Sequence, residues 1–478
     1  MTAALVVLFH VLGFTSSIHA VMSTRTSQGA IAWAVSLNTF PYLAVPAYWV
    51  FGRSKFQGYV VARRTKDDRN DRIERELIET VAPYRVPEAD RLEAVTAGEG
   101  LAHMPLLRGN AVELLIDGDA TFKSILAGID QAKEYVLVQF YIVHDDGLGR
   151  ALKDHMIAKA KEGLRVYFLY DEIGSHALPN GYKQDLRDAG VEVNEFNTRK
   201  GSRNRFQLNF RNHRKIVVTD GRVAWIGGHN VGDEYLGKDP KFGHWRDTHV
   251  RIEGPAVLKA QVSFMEDWFW ATDTLPKLNW TAQPAPDGSD ARVLIIPTGP
   301  ADELETANLM FVHAINSAQK RIWIASPYFV WIASPYFVPE HSVIVALQLA
   351  GLRGVDVRIL IPDKPDHLTV YLAAYSYFDD AGQTGAKFYR YQHGFLHEKA
   401  MLIDDTVATI GTANFDNRSC LNFEITAAIA DPTFVTKVEH MFQDDFARSR
   451  LMEEGEYGRK PWYFRLGVRI ARLTAPIQ

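Results

Sequence analysis

The sequence predicts an α/β protein in which one domain is built twice, preceded by apolar helices. Three observations carry the prediction. The string H-x-K-x4-D occurs at His213, Lys215 and Asp220 and returns at His397, Lys399 and Asp404. Its surroundings return with it: GLRVYFLYD at 163–171 matches GVDVRILIPD at 354–363, and IDQAKEYVLVQFYI upstream matches INSAQKRIWIASPYF. Self-similarity of this length marks a duplicated fold, not a chance string. Finally, residues 3–22 and 29–51 carry no formal charge.

In chain order, both apolar runs are long enough to cross a bilayer, since about 20 helical residues span about 30 Å. Only Arg25 lies between them, whereas Arg53, Lys55, Arg63, Arg64 and Lys66 follow the second run. The positive-inside bias therefore expects the remainder of the chain in the cytoplasm. Trp33, Tyr48, Trp49 and Phe51 suit an interfacial belt. Two other readings stay open: the first run as a signal peptide, although no positive n-region precedes it, and the second, with Pro41 and Pro46, as a kinked or re-entrant hairpin. Residues 1–52 thus form the membrane part and 53–105 a charged juxtamembrane linker.

Residues 106–274 and 291–450 read as the two repeated domains, separated by a Pro-rich polar linker at 275–290. Each runs strand, helix, strand and then a hairpin carrying the motif, which implies a mixed sheet covered by helices. WIASPYFV at 323–330 recurs at once at 331–338. An even-numbered insertion preserves the alternation of faces, and one copy is expected to bulge out. The tail, 451–478, places Trp462, Leu466, Ile470 and Leu473 on one helical stripe with Arg465, Arg469 and Arg472 beside it. That pattern fits a helix lying on an anionic membrane surface, and also a domain-packing helix with a solvated edge.

Within the first motif, the period of two puts His213 and Lys215 on one face of a strand. Asp220-Gly221, between IVV and VAWI, is a hairpin turn signal. With its centre at 220 and 221, His213 lies opposite Gly228, and Asn230 opposite Arg211. The tetrapeptides GGHN (227–230) and GTAN (411–414) stand at the same offset behind the two motifs. Gly227 and Gly228 would let a bulky anion approach the backbone, so each hairpin looks like half of a phosphate site. Asp220 and Asp404 complete the two catalytic motifs, but their turn positions give them a structural part. His144-Asp145-Asp146 lacks companion ligands and reads as an ordinary loop.

Over roughly 112–448 these residues resemble the phospholipase D superfamily, and the whole layout resembles the bacterial cardiolipin synthases. The resemblance implies two phospholipase D-like α/β/α domains facing one another across a pseudo-two-fold axis. It also implies conversion of two phosphatidylglycerol molecules to cardiolipin and glycerol. Displacing an alcohol from a phosphodiester needs a nucleophile on one side of phosphorus and an acid on the other, and the near-neutral pKa of histidine serves both. Family comparison makes His213 the nucleophile, through a phosphohistidine intermediate, and His397 the acid; the symmetry of the sequence leaves that allotment open. Lys215, Lys399, Asn230 and Asn414 would hold the nonbridging oxygens. Asp247 and Glu424 stand at similar distances after their histidines and resemble the family's histidine-orienting acids; Asp247 also fits a turn cap. Asn414, Asp416, Arg418 and Ser419 complete the family's N-x-D-x-R-S. The scheme requires no metal and no cofactor.

With 478 residues, 47% of them hydrophobic, the chain can bury two cores. A net charge of −4 offers no basic surface for nucleic acid. The single Cys420 agrees with a reducing compartment. Expected partners are phosphatidylglycerol, other anionic phospholipids and the bilayer, and the expected place is the bacterial inner (cytoplasmic) membrane. Two alternatives use the same residues: hydrolysis to phosphatidic acid, with water reaching the intermediate, and a noncatalytic lipid-binding scaffold, which would not need two imidazoles.

Overall fold

The structure, a computed structural model, describes residues 2–24, 27–52, 59, 75–197, 210–326, 340–363, 368–416, 419, 421–453 and 455–473. Arg25, the basic residues from Arg53 to Lys66, most of the doubled WIASPYFV, Arg418 and Cys420 lie outside them.

Helix α1 (Thr2–Ser23) contains Ala4–Ser23, the one stretch among the described residues long and apolar enough to cross a membrane. The second apolar run is divided. Pro41 has no N–H and disfavours helical geometry in the residue before it, so Phe40 sits at φ −130°, ψ 56° between α2 (Ser27–Thr39) and α3 (Pro41–Phe51). Both pieces fold against α1. Tyr48 does not join an interfacial belt but is fully buried, its hydroxyl 2.6 Å from His19 Nδ1. The indole of Trp49 donates to Ser16 Oγ at 3.1 Å.

After α4 (Glu93–Ala102), the first half runs β1 (Leu107–Ile116), α5 (Asp117–Gln131), β2 (Tyr135–Phe140), α6 (Gly147–Lys161), β3 (Arg165–Asp171), α7 (Asn180–Asp188) and β4 (Glu192–Phe196). It continues with β5 (Arg211–Asn212), a hairpin of β6 (Ile216–Thr219) and β7 (Val223–Gly227), β8 (Trp245–Arg246), β9 (Thr248–Glu253) and α8 (Val257–Thr272). The second half repeats the order: β10 (Ala291–Thr298), α9 (Thr306–Ser317), β11 (Arg321–Ala325), α10 (His341–Leu352), β12 (Asp356–Pro362), α11 (Leu368–Gly382) and β13 (Lys387–Tyr391). There follow β14 (Phe395–Leu396), the hairpin β15 (Ala400–Ile403) and β16 (Val407–Gly411), β17 (Asn422–Ala430) and α12 (Pro432–Ala447). β18 (Ser449–Leu451) and α13 (Trp462–Leu473) end the described chain.

One sheet passes through both halves in the order β4-β3-β2-β6-β7-β9-β1-β10-β17-β16-β15-β11-β12-β13-β18. The antiparallel pair β1/β10 is its centre, and the order read outward from there is the same on both sides, except that β18 adds an edge strand beyond β13. β2-β3-β4 and β11-β12-β13 are parallel, as crossover helices require, and the motif hairpins are antiparallel. One apolar core is continuous through both halves, and a second lies under α5, α6 and α7. The linker is strapped to the first half, where Asp290 pairs with Arg108 at 2.6 Å and the carbonyl of Asn279 accepts from Gln261.

Each motif hairpin closes through three residues, Asp220-Gly221-Arg222 and Asp404-Asp405-Thr406, with ladders beginning Ile216↔Ile226 and Ala400↔Ile410. The register is therefore one residue from that of a two-residue turn, and His213 does not oppose Gly228. Asp220 and Asp404 both adopt left-handed backbone, at φ 55° and 51°. Their carboxylates accept from three successive backbone N–H groups: Lys133, Glu134 and Tyr135 at 2.8, 2.8 and 2.9 Å, and Gln319, Lys320 and Arg321 at 3.0, 2.7 and 2.9 Å. Each aspartate thus ties its hairpin to the start of the strand beside it, β2 or β11.

Candidate active site

The two motif histidines sit just after β5 and β14, and those short strands leave their own halves. β5 pairs in parallel with β17, Arg211 with Asn422 and Asn212 with Phe423. β14 pairs in parallel with β8, Phe395 with Trp245 and Leu396 with Arg246. One step further along each ladder stand His213 beside Glu424 and His397 beside Asp247. The contacts are made there: His213 Nδ1 lies 3.1 Å from Glu424 Oε1, and His397 Nδ1 lies 2.6 Å from Asp247 Oδ2. Each imidazole therefore meets a carboxylate from the opposite half, not the one that follows it in its own. A carboxylate at Nδ1 fixes the tautomer that leaves Nε2 directed outward.

The environments differ in enclosure. The His213 side chain is 18% exposed and its ring centroid stands 4.3 Å from that of Tyr141, whereas His397 is 4% exposed and lies 5.1 Å from Trp245. Lys215 donates to the carbonyl of His213 at 2.6 Å. Lys399 donates to the carbonyl of His397, and its Nζ is within 3.1 Å of both ring nitrogens. Burial is the dominant charge effect. It pushes Lys215 down to about 7 and Lys399 down to about 8, and lifts Glu424 to about 7, each against the pull of opposite charges in the same site. Burial and then Lys399, Lys215 and His213 hold His397 well below the usual imidazole range. The titrating groups of both halves thus act on one another in a single buried site.

Asn230 and Asn414 are buried and unequally engaged. Asn230 accepts from the Ile142 N–H and donates to the Tyr235 hydroxyl. Asn414 Oδ1 has no hydrogen-bond partner among the described residues, while Ser419 bonds to the Asn414 carbonyl and to Asp416. Gly227 and Gly228 do not open a path for an anion. A Cβ on Gly228 would meet Asp247 Oδ1 at 2.0 Å and one on Gly227 the Thr248 carbonyl at 2.3 Å, so these glycines admit the close approach of β9. His144 pairs with Glu234, and Asp146 caps α6 by accepting from Gly149.

A family model described as "Cardiolipin synthase, PLD-like domain" matches residues 125–268 and 311–446. "Cardiolipin synthase A" of Pseudomonas putida (strain GB-1) is 49% identical over 476 residues, covering 98% of this chain and 97% of that protein. The chain belongs to the cardiolipin synthase family. The same-named protein of Pseudomonas fluorescens (strain SBW25) is 48% identical across 100% of this chain and 98% of its own. Among solved structures, a phosphatidylserine synthase from Haemophilus influenzae shares the fold at a TM-score of 0.57 and 16% identity, covering 81% of this chain and 100% of that one.

Several residues that build this cardiolipin synthase-like site escaped the motif reading. Arg214, between the first His and Lys, is buried, and its Nη1 donates to both carboxylate oxygens of Asp267 of α8, at 2.9 and 3.0 Å. Its counterpart Glu398 faces Arg246, which also holds Asp445 of α12 at 2.7 Å and Asp117 at 3.2 Å. Asp171 caps Gly174 and Ile173 and receives the Asn212 N–H, fixing β5. The available signal was the intervening charge itself: period two turns Arg214 and Glu398 away from the site into the interior, where each needs a buried partner.

Proposed function

We propose that this chain is a membrane-bound phosphatidyltransferase that makes cardiolipin and glycerol from two phosphatidylglycerol molecules. The reading rests on one observation above the rest, the exchange of carboxylates that gives two imidazoles a common buried site with two lysines. Nε2 of His213 attacks the phosphorus of the first lipid. The bond from phosphorus to the headgroup glycerol breaks, and His397 gives its proton to the departing oxygen, leaving a phosphatidyl group on His213. The headgroup hydroxyl of a second phosphatidylglycerol then attacks phosphorus, His397 takes its proton, and the P–N bond breaks to release cardiolipin. Lys215, Lys399, Asn230 and Asn414 hold the nonbridging oxygens, where charge grows in the transition state. Glu424 and Asp247 hold the rings and steady each imidazolium.

The opposite allotment has one observation in its favour: the enclosed His397 is held neutral, as a nucleophile must be. Rapid quench with labelled phosphatidylglycerol, followed by mapping of the phosphohistidine, separates the two. Label on residue 213 supports the first allotment and label on residue 397 the second. Detergent-solubilised protein should convert phosphatidylglycerol to cardiolipin plus free glycerol; phosphatidic acid as sole lipid product would make it a hydrolase.

For location, α1 presents Val7, Phe14 and Val21 outward along its length, which suits a bilayer more than water. With the basic residues after α3, it supports anchorage in the bacterial inner membrane, the catalytic part facing the cytoplasm. α2 and α3 then enter the same bilayer as a kinked pair, not as one straight span.

A further inference from the structure

The duplication supplies an internal control for which surfaces the fold itself needs. Gly163 and Gly354 precede the equivalent strands β3 and β12, so α6 and α10 align residue for residue. Their inward positions agree: Leu152, Met156 and Lys159 are buried in α6, and Val343, Leu347 and Ala350 in α10. Their outward ridges do not. At the positions where α6 exposes Asp154, Ala158 and Lys161, α10 exposes Val345, Leu349 and Leu352, the last at 75%. Identical scaffolding tolerates a charged ridge in one copy and presents a bare apolar one in the other, so folding does not account for the difference.

α10 packs against α11, and α13 packs against α11 as well. The Phe464 ring lies 5.1 Å from Tyr375, Val468 is buried, and Arg472 pairs with Asp380 at 3.2 Å. That docking leaves Trp462, Tyr463, Leu466 and Ile470 exposed, with Trp462 at 70%. Arg465 and Arg469, also exposed, have no acidic residue on their own helix and no ion pair among the described residues. Apolar ridges, interfacial aromatics and unneutralised arginines together match the boundary of an anionic bilayer.

We propose that α10 and α13 form a second membrane-contacting face, seated on anionic phospholipid and carried by the second half alone. This rests on the reading that the substrate is a bilayer phospholipid, and it assigns the half that meets that bilayer.

The test uses the full chain in a Cys420→Ser background, reconstituted in vesicles of phosphatidylglycerol and phosphatidylcholine. A nitroxide is placed in turn at Leu349→Cys, at Leu466→Cys and at the equivalent first-half position, Ala158→Cys. Collision with oxygen and shielding from a water-soluble nickel chelate at 349 and 466, by about fivefold relative to 158, is the expected result. Equal aqueous access at 349 and 158, or dipolar coupling between 349 labels of two chains, overturns the proposal. A Val345→Asp/Leu349→Ala/Leu352→Lys variant transplants the tolerated first-half ridge. It should keep its turnover in detergent micelles and lose about tenfold in vesicles; unchanged vesicle turnover counts against the proposal. If no preparation forms cardiolipin, the reading of the reaction fails while the label accessibilities still judge the surface.

Discussion

His213 and His397 occupy equivalent places in equivalent halves and share a carboxylate at Nδ1, a lysine on the backbone carbonyl and an aromatic neighbour, yet their surroundings differ in how closely they enclose the ring. Around His213, Lys215 donates to the backbone carbonyl and lies over the Tyr141 ring, which forms one wall, leaving an edge open to solvent. Around His397, Lys399 touches both ring nitrogens, Trp245 closes the side and Asp247 approaches to 2.6 Å. Behind them the contrast continues: Arg214 rests in a two-charge pair with Asp267, whereas Arg246 is shared by Asp445, Glu398 and Asp117. A duplication delivers two imidazoles; only later divergence can give them different tasks.

The largest effects are expected from the rings themselves. His213→Ala and His397→Ala should each lower kcat by about 10⁴-fold, and the double variant should fall little further, because groups acting as a unit are not additive. Steady-state cardiolipin formation checks this; two independent, multiplying losses would break the idea of paired roles.

The buried charges come next. Arg246→Met strands the carboxylates of Asp445 and Asp117 and should cost about 3–5 kcal/mol of unfolding free energy, measured by denaturant titration in detergent, with Arg214→Met below it because Asp267 keeps its hydrogen bonds from Gln139 and Asn212. Glu398→Gln should cost less than about 1 kcal/mol at pH 7, since burial pushes Glu398 up to about 8 and the acid is already largely protonated. Asp220→Ala and Asp404→Ala each leave three backbone N–H groups without their acceptor and should lose about 1–3 kcal/mol while sparing kcat of the folded fraction.

The smallest effect is in the pH profile, and its sign follows from three shifted groups, Glu424, Lys215 and Lys399. Glu424 steadies an imidazolium at His213 only when it carries a negative charge, so kcat/KM should rise with pH through about 7. Lys215 and Lys399 hold phosphate only as ammoniums, so kcat/KM should fall as pH passes about 7 and then about 8. Glu424→Gln should abolish the rising limb and keep the falling one; Asp247→Asn, on the other ring, should not.

Much of this was legible in the chain. Two matched motifs with matched flanks announce a duplicated α/β fold, because strands and helices are local and their repeat survives in the letters. Asp220 and Asp404 could be read as turn residues from Asp-Gly and Asp-Asp between apolar runs. What could not be read is any relation set by tertiary approach. That Glu424 serves His213 and Asp247 serves His397 depends on β5 and β14 crossing to the opposite half, and no local pattern encodes which strand end lies beside which. The one-residue register shift came from Arg222 and Thr406 joining their turns. Gly227 and Gly228 looked like room for a ligand because the strand that fills that room, β9, lies twenty residues on. The second apolar run was long enough by composition, and Pro41 divided it.

A structure of the wild-type protein with vanadate in the site tests the central claim most directly. The account predicts one vanadium flanked by Nε2 of His213 and Nε2 of His397 on opposite sides, with Lys215 and Lys399 on its equatorial oxygens. Vanadate held by a single histidine, with the other ring out of reach of the metal centre, would contradict it.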